Sequence, residues 1–359
     1  MNRAVAAVAA TIGLFVLVQL GSLTLVQPFM DAGYQTVEDP SDPTNSLLYI
    51  GAILVATLVM LAAMKFGIDR FLQALVVFAA VVLSFYVFAV VVPSLLTVAG
   101  FNVLAIVAAL GLGVGLLVYP EWYVIDAAGI VMGAGAAGLF GISFGVFPAL
   151  VLLVVLAVYD AVSVYGTEHM LTLASGVMDL RLPVVLVIPL TLSYSFLEET
   201  GPETLEGGDA GTNEAVDANN AGKVAETDET DTDEATEADS DGTDGEDSAV
   251  DPEDPFDRDA FYIGLGDAVI PSILVASAAF FQPGDPALLD VPGVSLTIPA
   301  LGAMAGTVVG LLVLMWMVMK GRAHAGLPLL NGGAIAGYLL GAILSGIAIV
   351  EAVGLGPYL

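Results

Sequence analysis

Nine apolar stretches dominate this chain of 359 residues, each near the ~20 residues an α-helix needs to cross ~30 Å of hydrocarbon. They run approximately over 4–27, 46–64, 71–92, 100–118, 123–143, 146–165, 261–281, 298–319 and 327–350. The pattern predicts an all-α polytopic membrane protein. Apolar residues make up 57% and charged residues 13%, against roughly half and a quarter in soluble domains. The first stretch follows Arg3 as a signal peptide would, but its length and lack of a small-residue cleavage site favour a retained span.

The formal net charge is −30, and most of it sits in one place. Residues 198–259 hold 24 acids against Lys223 and Arg258, and 200–255 contain no aromatic residue. Such a segment cannot bury enough apolar surface to fold, so a disordered acidic loop is expected over 198–260. A solvated linker suited to a salt-rich cytoplasm explains it more simply than a docking tail. The negative charge argues against nucleic acid as a partner. The lack of cysteine excludes disulfides and thiolate chemistry, and two histidines, His169 and His324, leave little room for a histidine-rich metal site. Neither a metal nor a cofactor is expected, and carboxylates must carry any chemistry.

Cytoplasmic loops of membrane proteins collect Lys and Arg. Here Arg3, Lys65, Arg70, Arg181, Lys223, Arg258, Lys320 and Arg322 all fall on one side of a nine-span layout. This places the N-terminus and acidic loop in the cytoplasm and the C-terminus outside. The resulting organisation is six spans over 1–166, a connector over 167–197, the acidic loop over 198–260 and three spans over 261–359. In the connector, 167–180 reads as a short amphipathic helix. The run 182–197 is too short to span and is broken by Pro183 and Pro189; an interfacial helix, a re-entrant piece and an edge strand all fit it, with 184–188 its best strand candidate.

An ionisable residue within a span costs several kcal/mol and marks a functional site by default. Asp160 lies six residues before Gly166 at the end of span six, and Asp267 six residues after Phe261 at the start of span seven. Antiparallel spans therefore bring both to one depth, about 9 Å below the cytoplasmic boundary at 1.5 Å per residue. Two adjacent carboxylates share one proton, so one activates a water while the other donates to a carbonyl. Gly264 and Gly266 remove bulk beside Asp267, which lets a substrate backbone approach. Asp126 and Glu351 lie near span ends, where contact with water and a structural role are expected.

The pair Tyr159-Asp160, the run Gly264-Leu265-Gly266-Asp267 and the nine spans with a long loop between six and seven resemble the presenilin and signal peptide peptidase family of intramembrane aspartic proteases. The resemblance covers nearly the whole chain outside the acidic loop. It implies that Asp160 and Asp267 are catalytic, that Tyr159, Gly264, Leu265 and Gly266 shape the site, and that transmembrane segments are the substrates. The base distribution matches presenilin-like orientation rather than the inverted signal peptide peptidases. The family's Pro-Ala-Leu-Pro element is only partly present: Ala325 and Gly326 occupy its first two positions, Leu327 and Pro328 its last two. By analogy, Leu327, Pro328 and Leu329 help hold the substrate. A substrate helix must unwind before cleavage, so Val185 and Val187 are expected to capture it as an added strand.

Gly141-Ile142-Ser143-Phe144-Gly145 fits the serine-hydrolase elbow, but no strand precedes it and both histidines lie on the opposite side. A proton-coupled transporter or channel also uses paired intramembrane Asp residues. It is disfavoured by the lack of a counterpart to Gly-Leu-Gly-Asp in an earlier span. A prepilin-type peptidase shares that motif but does not account for Tyr159-Asp160 within a span.

Overall fold

Hydrocarbon tolerates only backbone whose polar groups are satisfied internally, and the apolar runs accordingly fold as helices. The computed structural model describes residues 3–166, 184–190, 194–195, 260–281, 288–289, 294, 296–320 and 325–355. Its helices are α1 (Arg3–Asp31), α2 (Thr44–Lys65), α3 (Asp69–Val91), α4 (Val103–Val118), α5 (Trp122–Ser143), α6 (Val146–Gly166), α7 (Leu265–Phe280), α8 (Ile298–Val318) and α9 (Gly326–Leu344), with a four-residue α10 (Ile349–Ala352). Seven of these are long and apolar enough to cross a membrane. The others, α4 and α7, have 16 residues, or about 24 Å of helix.

Both short helices are preceded by strand, which corrects two expected spans. Before α4, β1 (Thr97–Val98) and β2 (Phe101–Asn102) form a hairpin whose two turn residues, Ala99 and Gly100, have φ of 51° and 85°. Asn102 then caps α4 by accepting the Leu104 N–H at 3.1 Å. Before α7, the Phe-Tyr-Ile run favours extended backbone. Residues 260–264 form β4 (Ala260–Gly264), antiparallel to β3 (Val185–Pro189), with Val185 opposite Gly264 and Val187 opposite Tyr262. The strand expected over 184–188 is thus present, while the helix expected from 261 starts four residues later. The last span also ends early. A Schellman closure, Ile347 N–H to Ala342 O and Gly346 N–H to Ile343 O, with Gly346 at φ 77°, stops α9 before the predicted 350.

Two further two-residue strands, β5 (Leu288–Leu289) and β6 (Leu296–Thr297), pair before α8. The helix expected over 167–180 lies outside the described residues, as does the acidic loop expected over 198–260 except for Ala260, which is the first residue of β4.

The bundle is built around α5, of whose apolar window 61% is buried, against 11% for α2. Glycine and alanine allow this. A Cβ on Gly141 would lie 2.3 Å from Ala276 Cβ of α7, one on Gly135 2.6 Å from Val87 Cγ2 of α3, and one on Gly21 of α1 2.8 Å from Ala134 Cβ of α5. Large apolar side chains such as Leu47, Leu48, Phe78 and Val118 point outward, as they do where lipid is the solvent.

Helices α8 and α9 touch backbone to backbone. Gly302, Gly306 and Gly310 face Gly337, Gly333 and Leu329, and a Cβ on Gly306 would lie 2.0 Å from the Gly333 carbonyl oxygen. Four-residue glycine spacing on both helices produces this contact. Gly306→Ala is therefore expected to destabilise the fold by about 1–3 kcal/mol. The lowered midpoint should be visible in thermal unfolding in detergent. Gly332→Ala, where an added Cβ meets nothing within 4 Å, should leave the midpoint unchanged, and equal midpoints for the two variants would disprove the backbone contact.

Candidate active site

Helix α6 carries Asp160 on its inward face, 5% exposed, where the carboxyl group needs donors. They come from the start of α9. The first turn of a helix leaves its N–H groups without intrahelical partners, and Asp160 Oδ2 accepts the Leu327 N–H at 3.0 Å, with the Gly326 N–H beside it. Ala325, the residue before the helix, has φ −65° and ψ 123° and donates its N–H to Tyr165 Oη of α6 at 3.4 Å. One turn further along, Asn331 Nδ2 donates to the Leu153 carbonyl at 2.9 Å. Polar contacts thus lock α9 against α6 on both sides of Asp160.

Asp267 arrives from the other side. Gly264 ends β4, and the Leu265 N–H donates to the Val184 carbonyl at 2.8 Å. The chain then turns into α7 with Asp267 in its first turn. The half-buried carboxyl group lies beside two glycines. A Cβ on Gly326 would be 3.2 Å from Asp267 Oδ2, and one on Gly264 would be 3.5 Å from it. Asp160 and Asp267 thus border the same two residues, Leu327 and Gly326. The two carboxyl groups therefore meet at the Gly326-Leu327 backbone, where the absence of a side chain at Gly326 leaves room for an extended peptide.

The remaining predicted residues are distributed unevenly around this point. Gly266 is exposed, and Leu265 is buried against Phe15, Leu186 and Leu311. Tyr159 is 41% exposed and faces out of the bundle. Leu327 contributes its backbone N–H. Pro328 and Leu329 are half-buried, and the Leu329 carbonyl is turned toward Gly310 of α8.

Val185 and Val187 lie in β3, but β3 is not the open edge expected for substrate. Leu186 and Ile188 face β4 through their backbone, and on the opposite edge the Val187 N–H donates to Asp126 Oδ1 at 2.7 Å. This also corrects the reading of Asp126, which is buried at 6% exposure rather than open to water. Glu351 is exposed in α10. Ser143 of the Gly-x-Ser-x-Gly run is buried at the end of α5 and accepts the Thr36 hydroxyl at 3.0 Å and its N–H at 3.3 Å, a structural tie.

Sequence reasoning gave neither Gly326 nor Asp126 a part in building the site. A glycine at a helix start opposite an intramembrane Asp was the available signal for the first. For the second, the signal was an acidic residue one turn before Gly129 and two before Gly133.

The family described as signal-peptide peptidase, presenilin aspartyl protease matches residues 12–347. A solved presenilin family intramembrane aspartate protease in space group C222 is 32% identical, with a TM-score of 0.59 over 94% of this chain and 99% of that one. A structure of a presenilin family intramembrane aspartate protease in space group P2 is also 32% identical, with a TM-score of 0.57 over 93% and 97%. No curated protein matches significantly by sequence. These matches favour neither the transporter nor the prepilin-type peptidase reading. With a family match over nearly the whole chain and structural likeness over more than nine-tenths of it, the chain belongs to the signal-peptide peptidase and presenilin family and is an intramembrane aspartic protease.

Proposed function

We propose that Asp160 and Asp267 are the catalytic pair and that the protein cuts transmembrane segments locally unwound in the bilayer. The observation that carries this is the convergence of both carboxyl groups on the side-chain-free backbone at Gly326. One carboxylate takes a proton from a water whose oxygen attacks the scissile carbonyl carbon, while the protonated partner donates to the carbonyl oxygen. Collapse of the tetrahedral intermediate breaks the C–N bond. The amine leaves with a proton returned from the pair, and the carboxylates regain their starting state.

The substrate backbone lies extended against Gly264 and Gly326-Leu327. Pro328, which cannot donate, and the exposed Tyr159 border the approach from lipid. The base distribution supports a cytoplasmic N-terminus and acidic loop, so the fitting substrates are single-span proteins with their N-terminus outside. The acidic segment is read as a solvated linker adapted to high salt.

Purified protein in liposomes at high salt, given single-span peptides, tests the pair. Asp160→Asn and Asp267→Asn should each lower cleavage by at least about 100-fold. The thermal midpoint should stay near wild type, since the amide that replaces the Asp160 carboxyl group still offers an oxygen to the Leu327 N–H. Retention of cleavage by either variant would remove that residue from the mechanism. A pair holding one proton also gives a bell-shaped dependence of kcat/KM on pH, and a profile flat on the acid side would contradict the shared proton. Gly326→Val, which fills the space beside Asp267, should reduce cleavage by about tenfold or more, measured in the same assay.

A further inference from the structure

Asp126 is a buried acid that the proposed chemistry does not use. It belongs to a stripe on α5 with Gly129 and Gly133, spaced three and four residues apart and so on one face of the helix. That face seats β3 and the start of α7. A Cβ on Gly129 would lie 2.9 Å from Leu186 Cδ2 and 3.6 Å from Leu265 Cδ1, and one on Gly133 3.2 Å from Leu265 Cδ1 and 3.3 Å from Val269 Cγ2. At the head of the stripe, Asp126 Oδ1 accepts the Val187 N–H at 2.7 Å, with Val187 wholly buried among Ile125, Ala128 and Leu116.

The pairing of β3 with β4 lacks the usual determinant of strand register. A hairpin takes its register from a turn of about two to five residues, whereas residues 190–259 separate these strands. Register matters here because β4 runs straight into the helix that carries Asp267. The Leu265 N–H is bonded to the Val184 carbonyl, and Asp267 follows two residues later. The alternation of an antiparallel ladder turns the Val187 N–H away from β4. It is therefore a directional contact through which α5 can fix β3 along its own axis; beyond the end of β3, Ser195 Oγ also donates to Glu121 Oε1 at the start of α5 at 2.7 Å. The packing of Leu186 on Gly129 sets the distance between the elements but slides more readily than a hydrogen bond.

We infer that Asp126 is a positioning residue: its bond to Val187 pins β3 on α5, sets the register of the β3–β4 pair and so places Asp267 against Asp160 and Gly326. The inference rests on the assignment of Asp160 and Asp267 as the catalytic pair. What the position requires is an acceptor oxygen, not a charge. Asp126→Asn keeps the acceptor, Asp126→Leu removes it with the same branching at Cγ, and Val187→Pro removes the donor from the other side without touching the ladder to β4.

The test measures kcat and KM for a single-span peptide in liposomes and identifies the cut bonds by mass spectrometry of both products. Asp126→Leu should lower kcat by about tenfold or more, keep KM within about twofold and spread cleavage over neighbouring bonds, while Asp126→Asn keeps the wild-type cut position and most of the rate. If Asp126→Leu does not fold, Val187→Pro carries the same expectation. A single unchanged cut position in the acceptor-free or donor-free variant, with loss explained by less folded protein, overturns the inference, as does an Asp126→Asn enzyme as impaired as Asp126→Leu. Asp160→Asn and Asp267→Asn run alongside separate the two readings. Inactive dyad variants with an unaffected cut position in Asp126→Leu sink only the role of Asp126, whereas an active dyad variant sinks the catalytic assignment first.

Discussion

A backbone N–H without an acceptor in hydrocarbon costs several kcal/mol, and this protein breaks its helices inside the bundle at two places where that cost arises. At the start of α9 the unpaired N–H groups meet Asp160; on the outer edge of β3 the Val187 N–H meets Asp126. Each acid allows non-helical backbone to exist where an ordinary span would be continuous. That backbone is what an intramembrane protease requires, since a substrate held in helix offers no accessible peptide bond. Asp160, the acid proposed to do chemistry, thus also helps make the architecture tolerable in lipid, and Asp126 does so without a part in that chemistry.

The helical layout was legible in the sequence because span length is dictated by bilayer thickness and little else. The ends of α2, α3, α5, α6 and α8 fall within two residues of the limits of their apolar runs, and α1 runs four residues further. The departures occur where local chemistry outweighs hydropathy. Phe261, Tyr262 and Ile263 are as apolar as a helix segment, but β3 is present to pair with them. Asn102 caps the start of α4 only after its apolar run has begun, and Gly346 closes α9 while apolar residues still follow. Hydropathy counts residues that can lie in lipid and is silent on which backbone conformation they adopt there.

For the site, the two ionisable residues at similar distance from span ends were visible, and so was their pairing. Their depth came from treating span seven as helix throughout, whereas Asp267 lies in the first turn after a strand. The partners were hidden because they are backbone groups: Leu327 contributes an N–H that any residue but proline carries, and Gly326 contributes an absence. Asp126 was misjudged for a related reason. Proximity to a span end in the sequence suggests water, yet β3, which is far away in the chain, folds over it and excludes solvent. The incomplete Pro-Ala-Leu-Pro element has a similar resolution. Ala325 holds φ at −65°, the angle a proline ring would impose, and its extra N–H is taken by Tyr165.

The glycine contact between α8 and α9 bears on how the site can open. With Gly306 and Gly333 at backbone distance, neither helix has side-chain slack through which to slide or roll against the other. The two behave as a single stiff plate, and the Gly326-Leu327 rim belongs to it. Since Tyr165, Asp160 and the Leu153 carbonyl tie α6 to α9, the gap between the carboxyl groups widens by travel of the strand pair that leads into α7. Entry of a peptide is hinged on one wall of the site, and the other serves as its fixed jamb.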